Sequence, residues 1–330
     1  HGVLYSYTTD QFVSRIDFSD SGFQGLSFNV AFNSRGPGNS GNLADDRKSV
    51  PAMNLTQQAA EHRIFLNPPD INEFPSGECG MLTGSETFQC NDLGEKCLEV
   101  SVTRPGQVDI ILDFNQNGEF DPGTEDVLLS YSFFGKESLT TCVPWDGLKG
   151  NGQEPAFADQ ADIVYRYTQG VHHWSVYDVE FIKKGYCVEA VRPTNCGTSL
   201  TNILYWDDTD IPEPRDPGLS DPDAFKDGRG GCTCRTDDCR TWTYFDSDPN
   251  SDQCRNNDDL TKGYGDKSTL NTWWFASVSE TVVKNVFLFT CRVTGTEVIC
   301  DGETSNFSAV AIGGVSGYSY QWRGPEGVSK

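Results

Sequence analysis

One stretch of the chain, DFNQNGEFDPGTED from Asp113 to Asp126, carries side chains that could bind a metal ion. Oxygen-bearing residues recur at alternate positions in it, and Gly118 allows the backbone to turn sharply. Ca²⁺ takes six to eight oxygen ligands, and loops of the type D-x-[DN]-x-[DN]-G supply them. The sequence therefore predicts a Ca²⁺ site in this loop. Its ligands would be Asp113, Asn115, Asn117, Glu119, Asp121 and Asp126.

The loop departs from the usual pattern at its twelfth position, where a bidentate Glu normally completes the coordination. Thr124 occupies that position here. Glu125 or Asp126 would replace the missing ligand only if the loop were one or two residues longer than usual. The alternative interpretation is a polar hairpin turn that is capped by Asx side chains and holds no ion.

Other clusters of acidic and amide residues suggest further cation sites. Asp146 and Asn151 lie in the segment VPWDGLKGNG, where the alternative is a packed Trp145 beneath a tight hairpin. A second cluster follows the sequence LYW, and there the alternative is a solvated acidic loop. That cluster consists of Asp207, Asp208 and Asp210.

The N-terminal histidine raises the question of copper chemistry. His1 followed by glycine resembles the start of copper-dependent lytic polysaccharide monooxygenases, in which the terminal amine and two histidines hold copper on a β-sandwich. The resemblance implies His172 or His173 as the second histidine and Tyr177 as an axial group, and nitrogen ligands suit Cu(II). The alternative is that cleavage left a histidine first and that His172 and His173 flank a strand. The rest of the chain does not follow that family.

Catalytic motifs are absent from the sequence: it contains no G-x-S-x-G elbow, HExxH, P-loop or dinucleotide fingerprint. The 48 acidic residues offer so many carboxylate pairs that none identifies a glycosidase. We therefore expect no enzymatic activity.

Aromatic residues could form a platform on which sugars stack. Trp273 and Trp274 would point to opposite faces of a strand, so core packing is the favoured interpretation. The candidate platform residues are Trp242, Tyr244, Trp273, Trp274, Tyr318 and Tyr320.

The twelve cysteines are even in number and scattered among turn residues, which favours a disulfide framework in an oxidising compartment. We therefore expect a secreted or cell-surface protein. Four of the cysteines could instead bind zinc, although their spacing is not that of paired zinc knuckles. These four are Cys232, Cys234, Cys239 and Cys254.

The overall charge of −23 over 330 residues argues against nucleic-acid binding, since such a surface repels phosphate. No stretch of eighteen or more apolar residues occurs, so we expect no membrane insertion. A chain that begins at His1 suggests a mature product after signal-peptide removal, or an excised fragment.

Short alternating segments dominate the sequence and predict an all-β fold of several antiparallel β-sandwich modules with long disulfide-stapled loops. One short helix is expected at Leu55–Ile64. The predicted strands are Val3–Tyr7, Gly25–Phe32, Cys97–Val102, Val108–Asp113, Val127–Phe134, Ile163–Tyr167, Trp174–Ile182, Ser199–Trp206, Thr272–Ser277, Val282–Phe289 and Phe307–Ala311.

Four units are expected along the chain: a β-rich unit at 1–95, a sandwich with the calcium-type loop at 96–190, a Cys/Asp-rich unit at 191–288, and an incomplete immunoglobulin-like domain at 289–330. The last of these follows from the spacing between Cys300 and Trp322, which matches a B-strand cysteine and a C-strand tryptophan. Such a domain needs about 80 to 100 residues. We therefore expect another chain segment or subunit to complete it.

Several motifs occur in an order that resembles the giant secreted surface proteins of Bacteroidota, which carry gliding-motility-type sorting domains and immunoglobulin-like repeats. The similarity covers roughly residues 95–330. It implies an extracellular adhesin or filament whose partners are other copies or neighbouring domains of the same protein, or a surface polysaccharide. The motifs are DFNQNGEFDPGTEDVLL, CVPWDGLKGNG, YDVE, LYWDD, STLNTWWF and SGYSYQWRGPEG.

Overall fold

A computed structural model of the chain describes residues 2–18, 29–51, 60–83, 88–90, 96–121, 123–156, 159–177, 186–194, 196, 202–208, 210, 227–231, 268–287, 290–294 and 308–312. Its elements are β1 (Val3–Tyr7), β2 (Val13–Asp17), β3 (Asn29–Asn33), α1 (Leu43–Asp46), β4 (Arg63–Phe65), β5 (Phe88–Cys90), β6 (Lys96–Ser101), β7 (Gln107–Asp113), β8 (Val127–Ser132), β9 (Thr140–Trp145), β10 (Gln160–Tyr177), β11 (Cys187–Arg192), β12 (Ile203–Asp207), β13 (Asp227–Gly231), β14 (Thr269–Phe287), β15 (Thr290–Thr294) and β16 (Ser308–Ile312).

These strands form antiparallel sheets, which confirms the predicted all-β class. The largest sheet has the order β13-β12-β14-β10-β7-β8, with β3 also paired to β10. A four-stranded sheet has the order β11-β2-β1-β4, and a three-stranded sheet has the order β5-β6-β9. Strands β15 and β16 pair separately.

The two longest strands, β10 and β14, organise the large sheet. They pair with each other along almost their entire length. On its other edge, β10 pairs with β7 along its first half and with β3 along its second half. The sequence predicts two shorter strands in place of each. Gly170 lies in the middle of β10 with a φ of 57°, and it interrupts the apolar alternation without interrupting the strand.

The predicted helix at Leu55–Ile64 is wrong at its C-terminal end, because Arg63–Phe65 forms β4. The backbone N–H of His62 donates to the carbonyl of Phe32 at 3.0 Å, which holds the segment extended beside β3. Residues 55–59 lie outside the described part. The one helix in the described part of the chain is Leu43–Asp46.

The two largest of the four apolar clusters in the described part lie between the sheets. Because side chains alternate along a strand, β10 contributes residues of opposite faces to the two cores. The first core, against the four-stranded sheet, contains Ile16, Phe18, Phe32, Trp174, Val176, Tyr186, Val188, Leu204, Trp206, Leu270 and Trp274. The second core, against the three-stranded sheet, contains Leu98, Val100, Val102, Val108, Ile110, Leu112, Phe133, Val143, Trp145, Ala161, Ile163, Tyr165 and Tyr167.

Disulfides are present, as predicted. Cys79 bonds to Cys196, Cys97 on β6 bonds to Cys142 on β9, and Cys187 is also disulfide-bonded. Such bonds persist in oxidising environments, which indicates an extracellular type of compartment. The alternative zinc cluster lies outside the described residues. It comprises Cys232, Cys234, Cys239 and Cys254.

Strand pairing crosses the predicted unit boundaries. Strand β11 pairs with β2, and β3, β10 and β14 lie in one sheet, so boundaries near 95 and 190 do not separate sheets. Of the expected immunoglobulin-like domain, only β15 and β16 are described, and Cys300 and Trp322 lie outside the described residues. No helix in the described part is long and apolar enough to cross a membrane.

Candidate functional site

The calcium-type loop connects β7 to β8 at one end of the large sheet. Strand β7 ends at Asp113, which is fully buried, and β8 begins at Val127. The first residue of the predicted ligand set is therefore held by a central strand. The remaining predicted ligands follow in the turn between the two strands.

Asp113 organises the first half of the loop. Its carboxylate accepts the backbone N–H of Gln116 on Oδ1 and that of Gly118 on Oδ2, both at 2.6 Å. Gln116 and Gly118 have φ values of 61° and 89°, so the chain turns twice through the left-handed region. A Cβ at Gly118 would meet nothing within 4 Å, so glycine is favoured there by backbone conformation and not by space.

Two asparagine amides converge on one carboxylate oxygen. Asn115 and Asn117 each donate from Nδ2 to Oδ2 of Asp121, at 2.6 and 2.7 Å. Their Oδ1 atoms accept the backbone N–H groups of Asn117 and Glu119. The side chains of Asn115 and Asn117 thus face Asp121 across the loop.

Asp126 completes the loop. Its Oδ2 accepts the backbone N–H of Asp121 at 3.1 Å, and its Oδ1 accepts that of Phe114 at 2.9 Å. Thr124, in the twelfth position, donates its hydroxyl to the carbonyl of Asp121. Glu125 turns away and pairs with Lys149 at 2.9 Å. Of the two acids that could replace the missing Glu, Asp126 is the one that joins the loop.

The loop concentrates negative charge. Asp126 is only 3 % exposed, and its pKa is raised by burial and by the nearby carboxylates of Asp113 and Asp121. Within the described part of the chain, no lysine or arginine forms an ion pair with any of these three acids. Asp113 and Asp126 are buried, and Asp121 lies beside them. Because their negative charges are not balanced by a basic side chain in the described part, this loop favours the approach of a cation.

The structure therefore brings five of the six predicted ligands into one hydrogen-bonded loop, and Glu119 joins it through its backbone N–H. Among the described residues, no group of three or more His, Cys, Asp or Glu side chains is arranged to hold a metal ion. A Ca²⁺ ion bound in this loop would need amide and backbone oxygens as ligands in addition to the carboxylates. Ca²⁺ accepts all of these oxygen types as ligands.

The other candidate cation sites are used in local structure. Trp145 belongs to the second core and donates from Nε1 to the carbonyl of Leu148, as the packed-tryptophan interpretation predicts. Asp146 accepts the N–H of Leu148, and Asn151 accepts that of Gln153. In the acidic segment farther along the chain, the buried Asp208 accepts the hydroxyl of Ser49 at 2.6 Å, whereas Asp210 is exposed.

His172 and His173 lie inside the sheet and are fully buried. His172 donates from Nδ1 to the carbonyl of Gly170 at 2.7 Å, so its Nε2 accepts the hydroxyl of Ser6 at 2.6 Å. His173 accepts from Asn271 on Nδ1 at 2.9 Å, which places its proton on Nε2. Neither ring offers an unused lone pair to copper, and His1 lies outside the described residues.

The Ser6–His172 contact has the geometry of a nucleophile and its base, and no motif in the sequence signals it. Both side chains are fully buried, and burial lowers the pKa of His172 well below its ordinary value. The His172 ring also stacks on Trp274, with centroids 5.0 Å apart. The contact therefore links β1 to β10 in the interior of the described part.

The predicted aromatic platform is only partly described. Trp274 is buried in the first core, whereas Trp273 stacks between His173 and Tyr205. The two tryptophans thus point to opposite faces, as predicted. The other four platform residues, Trp242, Tyr244, Tyr318 and Tyr320, lie outside the described residues.

Comparison with known proteins found no matching family model, no matching curated protein and no matching solved structure.

Proposed function

We propose that this chain is a Ca²⁺- and disulfide-stabilised β-sandwich segment of an extracellular surface protein or filament, with a mechanical and adhesive role. The observation that carries the calcium part is the set of Asp113, Asp121 and Asp126, which lie in one loop and have no basic partner among the residues that the structure describes. Disulfides and a net charge of −23 support an extracellular setting, where Ca²⁺ is abundant.

Calcium would act on the fold through β7 and β8. Asp113 is the last residue of β7, and Asp126 directly precedes β8, so an ion bound to both would tie the two strands together at the turn. Strand β7 pairs in turn with the long strand β10. An ion that neutralises the loop would thus stabilise one end of the large sheet.

The proposed partners are other copies or neighbouring domains of the same protein, or a surface polysaccharide. The resemblance to Bacteroidota surface proteins supports this part, and it stays a prediction. Electron microscopy of the purified chain distinguishes a filament segment, which forms ordered fibres, from an adhesin segment, which stays as single particles.

Thermal unfolding with Ca²⁺ or with EDTA tests the calcium part. A ligand at a hundredfold excess over its Kd stabilises by about 2.7 kcal/mol, which for a chain of this size means a rise in Tm of several degrees. Asp113→Ala should abolish the difference between the two conditions, whereas Glu137→Ala, in the exposed turn between β8 and β9, should retain it. An unchanged wild-type melt in EDTA would end the calcium hypothesis.

A further inference from the structure

A cleft of about 1100 Å³ opens beside the calcium-type loop. Helix α1 and its flanking residues form one side, and the segment 145–152 forms another. Residues Val127, Leu128 and Leu129 of β8 also line it, and all three are half-buried. The cleft thus runs along an exposed part of the large sheet.

Strand β8 is the edge of that sheet and pairs only with β7. In an antiparallel pair, every second residue of an edge strand directs its N–H and C=O away from its neighbour. In the described part of the chain, the backbone of β8 makes no hydrogen bond to any segment other than β7. Among the described residues, no segment pairs with the outward-facing donors and acceptors of β8, and residues 127–129 place part of this edge at the cleft.

The charge of the cleft is negative. Among the described residues, five carboxylates and two lysines line it, so the negative charge would still exceed the positive charge by one after one Ca²⁺ had bound in the loop. Both lysines already have acidic partners: Lys48 pairs with Asp45, and Lys149 lies between Glu125 and Asp159. The lining carboxylates are Asp45, Asp121, Asp126, Asp146 and Asp207.

We propose that this cleft binds an extended, lysine- or arginine-bearing polypeptide segment that adds as a strand to the edge of β8. Backbone pairing supplies the attachment in such strand addition, and side-chain pockets supply the selectivity. Leu128 offers an apolar contact to the incoming chain, and the surrounding carboxylates favour basic side chains over acidic ones. A second copy fits less well, because each copy carries a net charge of −23.

The test uses fluorescence anisotropy in Ca²⁺-containing buffer with a labelled nine-residue probe of alternating lysine and valine. Two matched probes accompany it: one has glutamate in place of lysine, and one keeps the lysines but carries methyl groups on alternate backbone amides. We expect only the unmethylated lysine probe to bind. The glutamate probe has the wrong charge, and the methylated probe cannot pair with an edge strand. Equal binding of the methylated probe would overturn strand addition, and absence of binding by the lysine probe would overturn the proposal.

Protein variants locate the binding. In the double variant Asp45→Asn, Asp146→Asn, we expect the Kd for the lysine probe to rise about fivefold, as is typical for the loss of two exposed charge contacts. Asparagine at position 146 can still accept the N–H of Leu148, so the local turn is retained. Glu137→Gln, in the exposed turn between β8 and β9, should leave the binding unchanged. Unaltered binding by the double variant would place the probe elsewhere. Sedimentation showing dimers that exclude the probe would identify a second copy as the occupant and overturn the proposal.

Discussion

The backbone N–H of Asp121 donates to Oδ2 of Asp126, 3.1 Å away, and this bond folds the calcium-type loop back on itself. It brings the carboxylate that precedes β8 close to the one at the middle of the loop. Because burial and the neighbouring acids raise the pKa of Asp126, the folded loop is electrostatically unfavourable by itself. A bound cation would reverse that balance.

Asp121→Asn should therefore have opposite effects on stability with and without Ca²⁺. The substitution removes one charge, and its oxygen can still accept from Asn115 and Asn117. In EDTA we expect the free energy of unfolding of the variant to equal that of wild type or to exceed it by up to about 1 kcal/mol, because less negative charge surrounds Asp126. In Ca²⁺ we expect it to be less stable than wild type, because a ligand is lost. Chemical denaturation in both buffers measures this, and the same ranking in both would contradict the account.

The buried histidines predict a loss of stability in mild acid. Burial holds the pKa values of His62, His172 and His173 below the ordinary value. As the pH falls below about 6.5, the histidines of the unfolded chain therefore take up protons before those of the folded chain. For each histidine, the free energy of unfolding falls by up to about 1.4 kcal/mol per pH unit. The loss continues until the pH reaches the folded-state pKa.

His62→Gln tests the origin of that acid sensitivity. His62 donates from Nε2 to the carbonyl of Val171 at 2.9 Å, and a glutamine N–H can replace this donor without titrating. Between pH 6.5 and 5, at saturating Ca²⁺, the variant should lose stability with a smaller slope than wild type. Parallel curves from denaturant unfolding would show that His62 is not a source of the slope.

The ion pair between Arg47 and Asp109 should be the most sensitive polar contact outside the loop. The two side chains are 4 % and 5 % exposed, and Nη1 of Arg47 lies 2.7 Å from Oδ2 of Asp109. Arg47→Ala leaves a buried carboxylate whose pKa is held low only by its partners, and removal of one partner typically costs about 3–5 kcal/mol. Denaturant unfolding measures the loss.

The exposed pair of Lys48 and Asp45 provides the matched control for that prediction. Their atoms are 3.4 Å apart, and the side chains are one-third and one-half exposed. Lys48→Ala should cost less than about 1 kcal/mol, as is usual for surface ion pairs. If the two variants lost equal stability, the large cost would not come from burial of the charge.

Local patterns in the sequence predicted the parts of the fold that depend on near neighbours. The predicted strand Val3–Tyr7 coincides with β1, because its alternation needs no distant partner to be recognised. The contacts within the loop were predictable for the same reason: Asn115, Asn117 and Asp121 meet through contacts of two to six positions.

Distant contacts decided what the sequence could not predict. Whether Glu125 or Asp126 joins the loop depends on Lys149, which arrives from another hairpin and binds Glu125. The inward orientation of His172 depends on Ser6, 166 residues earlier in the chain. No local pattern encodes either contact, so the choice of acid and the burial of the histidine emerge only from the packed sheets.

The most direct test of the calcium account is isothermal titration of Ca²⁺ into the chelator-stripped chain. The account predicts saturable binding, with a Kd of about 10⁻⁴ M as in extracellular modules. Binding should be lost in Asp113→Ala, weakened in Asp121→Asn and unchanged in Glu137→Ala. A wild-type chain that takes up no Ca²⁺, or loop variants that bind it as wild type does, would contradict the account.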